Sequence, residues 1–355
     1  MFSRAIPVIR MSCLLALAMS SALIYFDTQD GTAATASYQM KQIPTHSNCP
    51  SSISDSGDNV WVGSSCGGLL TDIDLKSFKI IRTIQPLDVR MYPVQGTLPW
   101  EANLWFSSGA VTGNTVNKTS YLTEIDANSG KIIRQISSSK FGLDYPTSLV
   151  RSGSDVFIAN QYGDESLTEI NGNTGDLIRV ISGKQYGFGF ECSQDPSCMT
   201  VDSGLLLVAN AFRNSVTEIN AITGAVVRVL RGSTFHFSGP ASLAVYGKYL
   251  WVSNVNSSSL TEINVSSGVS VRIVSGYQKV TLGGQIAVSG SDIWMTTGAT
   301  GLVEFQATTG RVIHTFGSTR LNGRTVGAYD TSIVGSHIWY TWLYSHLVIV
   351  DLDTL

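Results

Sequence analysis

The side chains best suited to acid–base chemistry at neutral pH are five histidines, His46, His236, His314, His337 and His346, and they are scattered along the chain. No nucleophile, base and orienting group can be assembled from them into a triad. His314 stands where other segments carry Arg, and His337 precedes a recurrent Trp position, so both read as structural. His236 and His346 fall in expected loops. His346, with Trp342 and Tyr344 and with Arg320 and Arg324 just upstream, makes the least repetitive polar cluster. It is the first place to look for a ligand. Other loop candidates are Tyr92 and Trp100 in a long connection from Gln85 to Glu101, and Tyr186 and Phe188, whose rings could stack on a sugar or anchor a partner. No catalytic residue is assigned. No Gly-rich phosphate loop, EF-hand or HExxH motif occurs, and no metal ligand set or cofactor is expected from the motifs.

Cysteines carry a second kind of chemistry. Cys49 and Cys66 are about equally far from the turn at Asp55–Asp58, which places them opposite each other across a hairpin. Cys192 and Cys198 flank a short loop. No CxxC pair exists, so two disulfides are favoured over a zinc site, and with them an oxidising compartment.

What positions these residues is a repeat. Leu122-Thr123-Glu124-Ile125, Leu167-Thr168-Glu169-Ile170, Val216-Thr217-Glu218-Ile219 and Leu260-Thr261-Glu262-Ile263 share one pattern. Degenerate copies begin at Leu70, Leu302 and Leu347. Each copy is preceded by an apolar strand, mostly with Trp (Trp61, Trp105, Trp251, Trp294, Trp339), and most are followed by a Gly-containing turn and a β-branched strand with a central Arg. Short strands at a period of about 40 to 50 residues predict a propeller of four-stranded blades, strands A to D. Seven copies imply seven blades in an all-β fold. The last copy ends without a strand D, and Met40-Lys41-Gln42-Ile43 fits that strand's pattern, so the N-terminal strand is expected to complete the last blade and close the ring. The recurrent Glu and Arg, being repeated, are expected to pair with each other rather than to do catalysis.

Residues 37–355 thus read as a single domain. Residues 1–36 stand outside the repeat: Arg4 and Arg10 precede an apolar run from Met11 to Phe26, and Ala34-Thr35-Ala36 offers a cleavage site. This is the pattern of a signal peptide, with an uncleaved anchor as the alternative. A secreted or cell-envelope location follows, with membrane contact only if the segment is retained. The formal net charge of −3 and the lack of basic clusters argue against nucleic acid as a partner.

The Val-Phe-Ile-Ala-Asn at Val156–Asn160, the Leu-Thr-Glu-Ile-Asn at Leu167–Asn171 and the Asn-Thr-Gly turn at Asn173–Gly175 resemble the YVTN and NHL-type repeat propellers of secreted bacterial proteins. That resemblance spans residues 38–355 and implies a module that binds other molecules. A more distant similarity is to streptogramin lyases, a magnesium-dependent group, but the Glu-x-His of that family is absent from this sequence. Related lactonases would imply an acidic and Asn metal cage, to which Asn160, Asn210 and Asn254 could contribute, so calcium or magnesium is the alternative to no cofactor. The expectation is a monomeric binding module for a protein or glycan; the alternative is a metal-dependent lyase or lactonase.

Overall fold

The structure is a computed structural model that describes residues 40–44, 50–64, 68–85, 94–109, 120–137, 139–189, 192, 198–276, 284–297, 302–316, 320–321, 324–325, 328–334, 337–342 and 346–351. Cys49, Cys66, Tyr92, Tyr344 and residues 1–36 lie outside these, so the expected Cys49–Cys66 bridge and the signal segment do too.

Six blades are each built from four consecutive antiparallel strands: blade 1 over 50–84, blade 2 over 94–136, blade 3 over 146–181, blade 4 over 199–230, blade 5 over 240–274 and blade 6 over 286–316. Blade 3 shows why. Its strands B and C, Asp155–Asn160 and Ser166–Asn171, are buried on both faces; strand B matches this with the apolar run Val156–Ala159, while strand C buries Thr168 and Glu169 against hydrogen-bonding and charged partners. Strand D, Leu177–Ile181, alternates half-buried and exposed residues at the rim, as a period of two requires of an edge. Strand A, Pro146–Ser152, lines the axis with small polar residues such as Thr147 and Ser148, both buried.

A further four-stranded sheet is composite: Ala328–Val334, His337–Trp342 and His346–Asp351 are joined by Met40–Pro44, whose Met40 pairs with Val350 and Ile43 with Leu347. The expectation of a seven-bladed propeller closed by the N-terminal strand is corrected in both parts: six blades form the ring, and Met40–Pro44 does not close it. Among the described residues only six sheets are runs of four consecutive strands, because the chain after blade 6 gives the last sheet three strands, a short two-stranded hairpin at 320–325 standing apart from it. Passage from the last sheet to blade 1 runs through inner strands, with Pro50–Ser56 packed on Ala328–Val334 and His337–Trp342, while Met40–Pro44 lies along the outer edge of the composite sheet. Inner strands make this joint because blades converge at the axis and splay toward the rim.

One row of side chains repeats across each blade. Trp61, Asp72 and Arg82 are directly opposite one another on strands B, C and D, as are Trp105, Glu124 and Arg134, and Trp251, Glu262 and Arg272. In blade 6 His314 takes the Arg position and pairs with Glu304. The Arg side chains then reach into the next blade. Arg179 bonds Glu169 and donates to Ile222 O at 2.6 Å, Arg82 donates to the carbonyls of Ala127 and Asn128, Arg228 to those of Val265 and Ser266, and Arg272 to that of Thr308. The receiving turns carry Gly224 and Gly268 at φ 72° and 69°. A Cβ there would lie 3.0 Å from Arg179 and 2.7 Å from Arg228, so Gly serves both the turn and the clamp.

Cys192 and Cys198 form the expected disulfide, with Cα atoms 5.5 Å apart, buried beside Phe188 and Met199. The loop it closes is short, so replacing both cysteines by Ser should cost about 2 kcal/mol. Urea unfolding of the Cys192→Ser/Cys198→Ser protein should show a lower midpoint with an unchanged slope.

Candidate functional site

The recurrent acids come first, because they are the buried ionisable groups in greatest number. Glu169, Glu218 and Glu262 are almost fully buried, and burial pushes each carboxyl above its usual range while the facing Arg opposes the shift. Asp72 and Glu124 behave alike. The arrangement joins strands and blades. Each acid sits under the guanidinium, with Arg82 also over the Trp61 ring at 5.5 Å and Arg134 over Trp105 at 5.9 Å.

The face formed by the D-to-A and B-to-C loops is built differently. Before blades 3, 4 and 5 the D-to-A loop makes one 3-10 turn, at Ser139–Phe141, Lys184–Tyr186 and Ser233–Phe235. A relay holds each turn down. Asn160 Nδ2 donates to Thr168 Oγ1 at 2.9 Å, and Thr168 donates to Phe141 O at 2.6 Å. Asn210, Thr217 and Tyr186 O repeat it, as do Asn254, Thr261 and Phe235 O. The amide nitrogens of these three Asn residues are therefore spent on loop architecture.

The structure separates the residues singled out from the sequence. Trp100 is not on a D-to-A loop. It ends strand A of blade 2, Val94–Trp100, is 1% exposed, and donates from Nε1 to Asn173 Oδ1 of blade 3 at 2.8 Å. A strand carrying Gly96 and Pro99 lacked the β-branched pattern that marks the others. Tyr186 stacks on Phe188 at 5.2 Å and donates its hydroxyl to Gly224 O, and Phe188 is buried in the core of blades 3 and 4. Both seal the joint between blades. His236 is exposed, in a left-handed conformation that ends its 3-10 turn. Arg320 and Arg324 belong to a two-stranded hairpin, and Trp342 pairs with His346 in backbone register; the side chains of these four lie outside the description.

Two exposed aromatics went unmarked in the sequence. Tyr162 and Phe212 sit on the B-to-C loops of blades 3 and 4, 38% and 63% exposed. Each is the second residue after the Asn that ends strand B, a regularity that could have found them. Tyr162 leans on Tyr145 at 4.9 Å between centroids. Glu165, three residues after Tyr162, is pushed up by burial, with Arg213 opposing. Asn214 accepts from Gly239 N at 2.8 Å, linking the loop of blade 4 to blade 5. The B-to-C loops of blades 3 and 4 thus present the exposed rings Tyr162 and Phe212 together with the exposed charges of Asp164 and Arg213. Among the described residues no three of His, Cys, Asp or Glu come together as a metal cluster, and no helix is long and apolar enough to cross a membrane.

No protein-family model matches the chain, and no curated protein matches it. Solved structures do. The computationally designed Ika8 protein superposes with a TM-score of 0.58 at 13% identity, over 86% of this chain and 97% of that one. BamB from Moraxella catarrhalis gives 0.58 at 12% identity, over 86% and 85%. The fold is a β-propeller.

Proposed function

We propose that this protein is an extracytoplasmic binding module whose contact surface is the loop face of blades 3 to 5. The observation that carries it is the exposure of Phe212 and Tyr162 on loops fixed by buried hydrogen bonds. Large rings held rigid and in solvent cost no folding energy to remove and give contact area at low entropic cost, the usual make-up of an interface anchor. Arg213, Asp164 and His236 supply a polar rim, all exposed. The Cys192–Cys198 disulfide supports an oxidising compartment.

The Phe212→Ala/Tyr162→Ala protein separates binding from stability. Its melting temperature should stay within about 2 °C of the parent, since surface changes away from buried features shift stability by at most about 0.5 kcal/mol. Binding to a glycan array, or to an envelope extract probed by cross-linking, should fall by about tenfold or more. Ligands retained at parental strength by the double variant would move the contact surface elsewhere on the ring.

A further inference from the structure

The loops of blade 3 meet in a clasp. Tyr162 N donates to Asp144 O, Gln161 N donates to Tyr145 O, and Pro146 pairs with Asn160. Gly163 lies so close that a Cβ would be 2.8 Å from Asp144 Oδ2. Inside this clasp two side-chain oxygens are buried, and no donor among the described residues reaches either: Asp144 Oδ1 and Asn160 Oδ1. Asn160 is 0% exposed, and its nitrogen is already committed to Ser166 and Thr168, so the amide cannot turn over to offer a donor.

The neighbouring blades show what is particular here. Blades 4 and 5 make the same clasp, with Phe212 N on Gly189 O and Asn256 N on Ser238 O. In blade 5 the Asn254 oxygen accepts from Ser238 N at 3.3 Å. Asn210 in blade 4 also has an oxygen without a donor among the described residues, but Gly189 brings no carboxylate. Of these three clasps, only that of blade 3 pairs a carboxylate with such an amide oxygen. Leaving a carboxylate oxygen and an amide oxygen buried without partners is costly, and a positive ion would relieve both at once. Carboxylate, amide and backbone oxygens are the donor set of a hard cation. The backbone oxygens of Asp144 and Tyr145, each accepting one hydrogen bond here, keep a second lone pair for it.

We propose that Asp144 and Asn160 hold a hard cation of the calcium class, which locks the loops of blade 3 beneath Tyr162. The test uses terbium, whose emission is sensitised by nearby tyrosine, here Tyr145 and Tyr162, with calcium as competitor. The variant is Asp144→Ser, which installs the residue blade 5 carries at this place, and Asp164→Asn serves as a control for the exposed acid alongside. The expected result is a saturable terbium signal in the parent and in Asp164→Asn, displaced by calcium and lost in Asp144→Ser. Calcium should raise the melting temperature of the parent, measured against EDTA, and leave that of Asp144→Ser unmoved. An undiminished signal in Asp144→Ser would place the ion elsewhere and overturn the proposal. So would a parent that shows neither terbium saturation nor a calcium shift, since the two oxygens would then be met by water. If Asp144→Ser fails to fold, calcium protection of residues 141–146 and 160–165 in hydrogen exchange of the parent decides, and its absence overturns the proposal.

Discussion

Replacing Arg179 by Met should destabilise the protein by about 3 kcal/mol or more at neutral pH, the cost of removing one partner from a buried ion pair. Arg179 holds both oxygens of Glu169, at 2.5 and 3.0 Å, and carries the bond to Ile222 O in blade 4. Without it, a carboxylate already pushed up by burial loses the one charge that opposed the shift. The pH dependence has a definite sign. A carboxyl raised in the folded state favours folding below its unfolded pKa, and that contribution is lost as pH rises through the folded value. The deficit of Arg179→Met should therefore be largest above neutrality and shrink toward about pH 3, more than a unit below the unfolded pKa, where Glu169 is neutral in both states. Chemical denaturation at several pH values measures it. Adding Glu169→Gln should recover much of the loss and flatten the pH dependence, because no buried charge then remains. A deficit equal at all pH values would mean that packing by the arginine stem, rather than charge, carries the effect.

Trp251→Ala should cost about 3 to 5 kcal/mol, the range for emptying a large buried aromatic site. Trp251 is fully buried and packs with Leu260 of its own blade and with Ile293, Met295 and Phe305 of blade 6, so the cavity would open at a joint between blades. Its Nε1 has no acceptor among the described residues, whereas Trp105 Nε1 donates to Gly172 O at 3.1 Å. Phe should therefore be tolerated unequally. Trp251→Phe loses volume alone, while Trp105→Phe also strands a buried carbonyl and should be worse by about 1 kcal/mol. Melting curves of the two Phe variants make the comparison, and equal losses would show that the indole bond is worth nothing net.

Fold class was legible because it rests on patterns that the backbone enforces: alternation in strand D, an apolar run in strand B, the recurrent Leu-Thr-Glu-Ile of strand C, and a Gly at φ near 70° in the following turn. The acid and Arg of the repeat were legible as partners for the same reason, since register puts Glu169 opposite Arg179. The number of like blades was less so. Whether a final set of strands counts as a repeat depends on where distant parts of the chain meet, which local pattern does not encode. The site was legible least. Aromatic composition marked Tyr186 and Phe188 as loop residues but could not tell a ring that seals two blades from one left in solvent. That difference depends on the stacking of the pair and the bond to Gly224, contacts made across the gap between blades. Phe212, on a B-to-C loop instead, is left in solvent.

The arginine clamps run in one sense only, each from strand D of a blade to the C-to-D turn of the blade that follows. A sheet is consequently not the self-contained unit of this ring. The smallest piece that keeps its own charges satisfied extends one turn beyond each sheet, so a boundary for grafting or shuffling blades should be cut after the next blade's turn. Seen in that way the chain is an overlapping series of modules, each of which borrows its final contact from its successor.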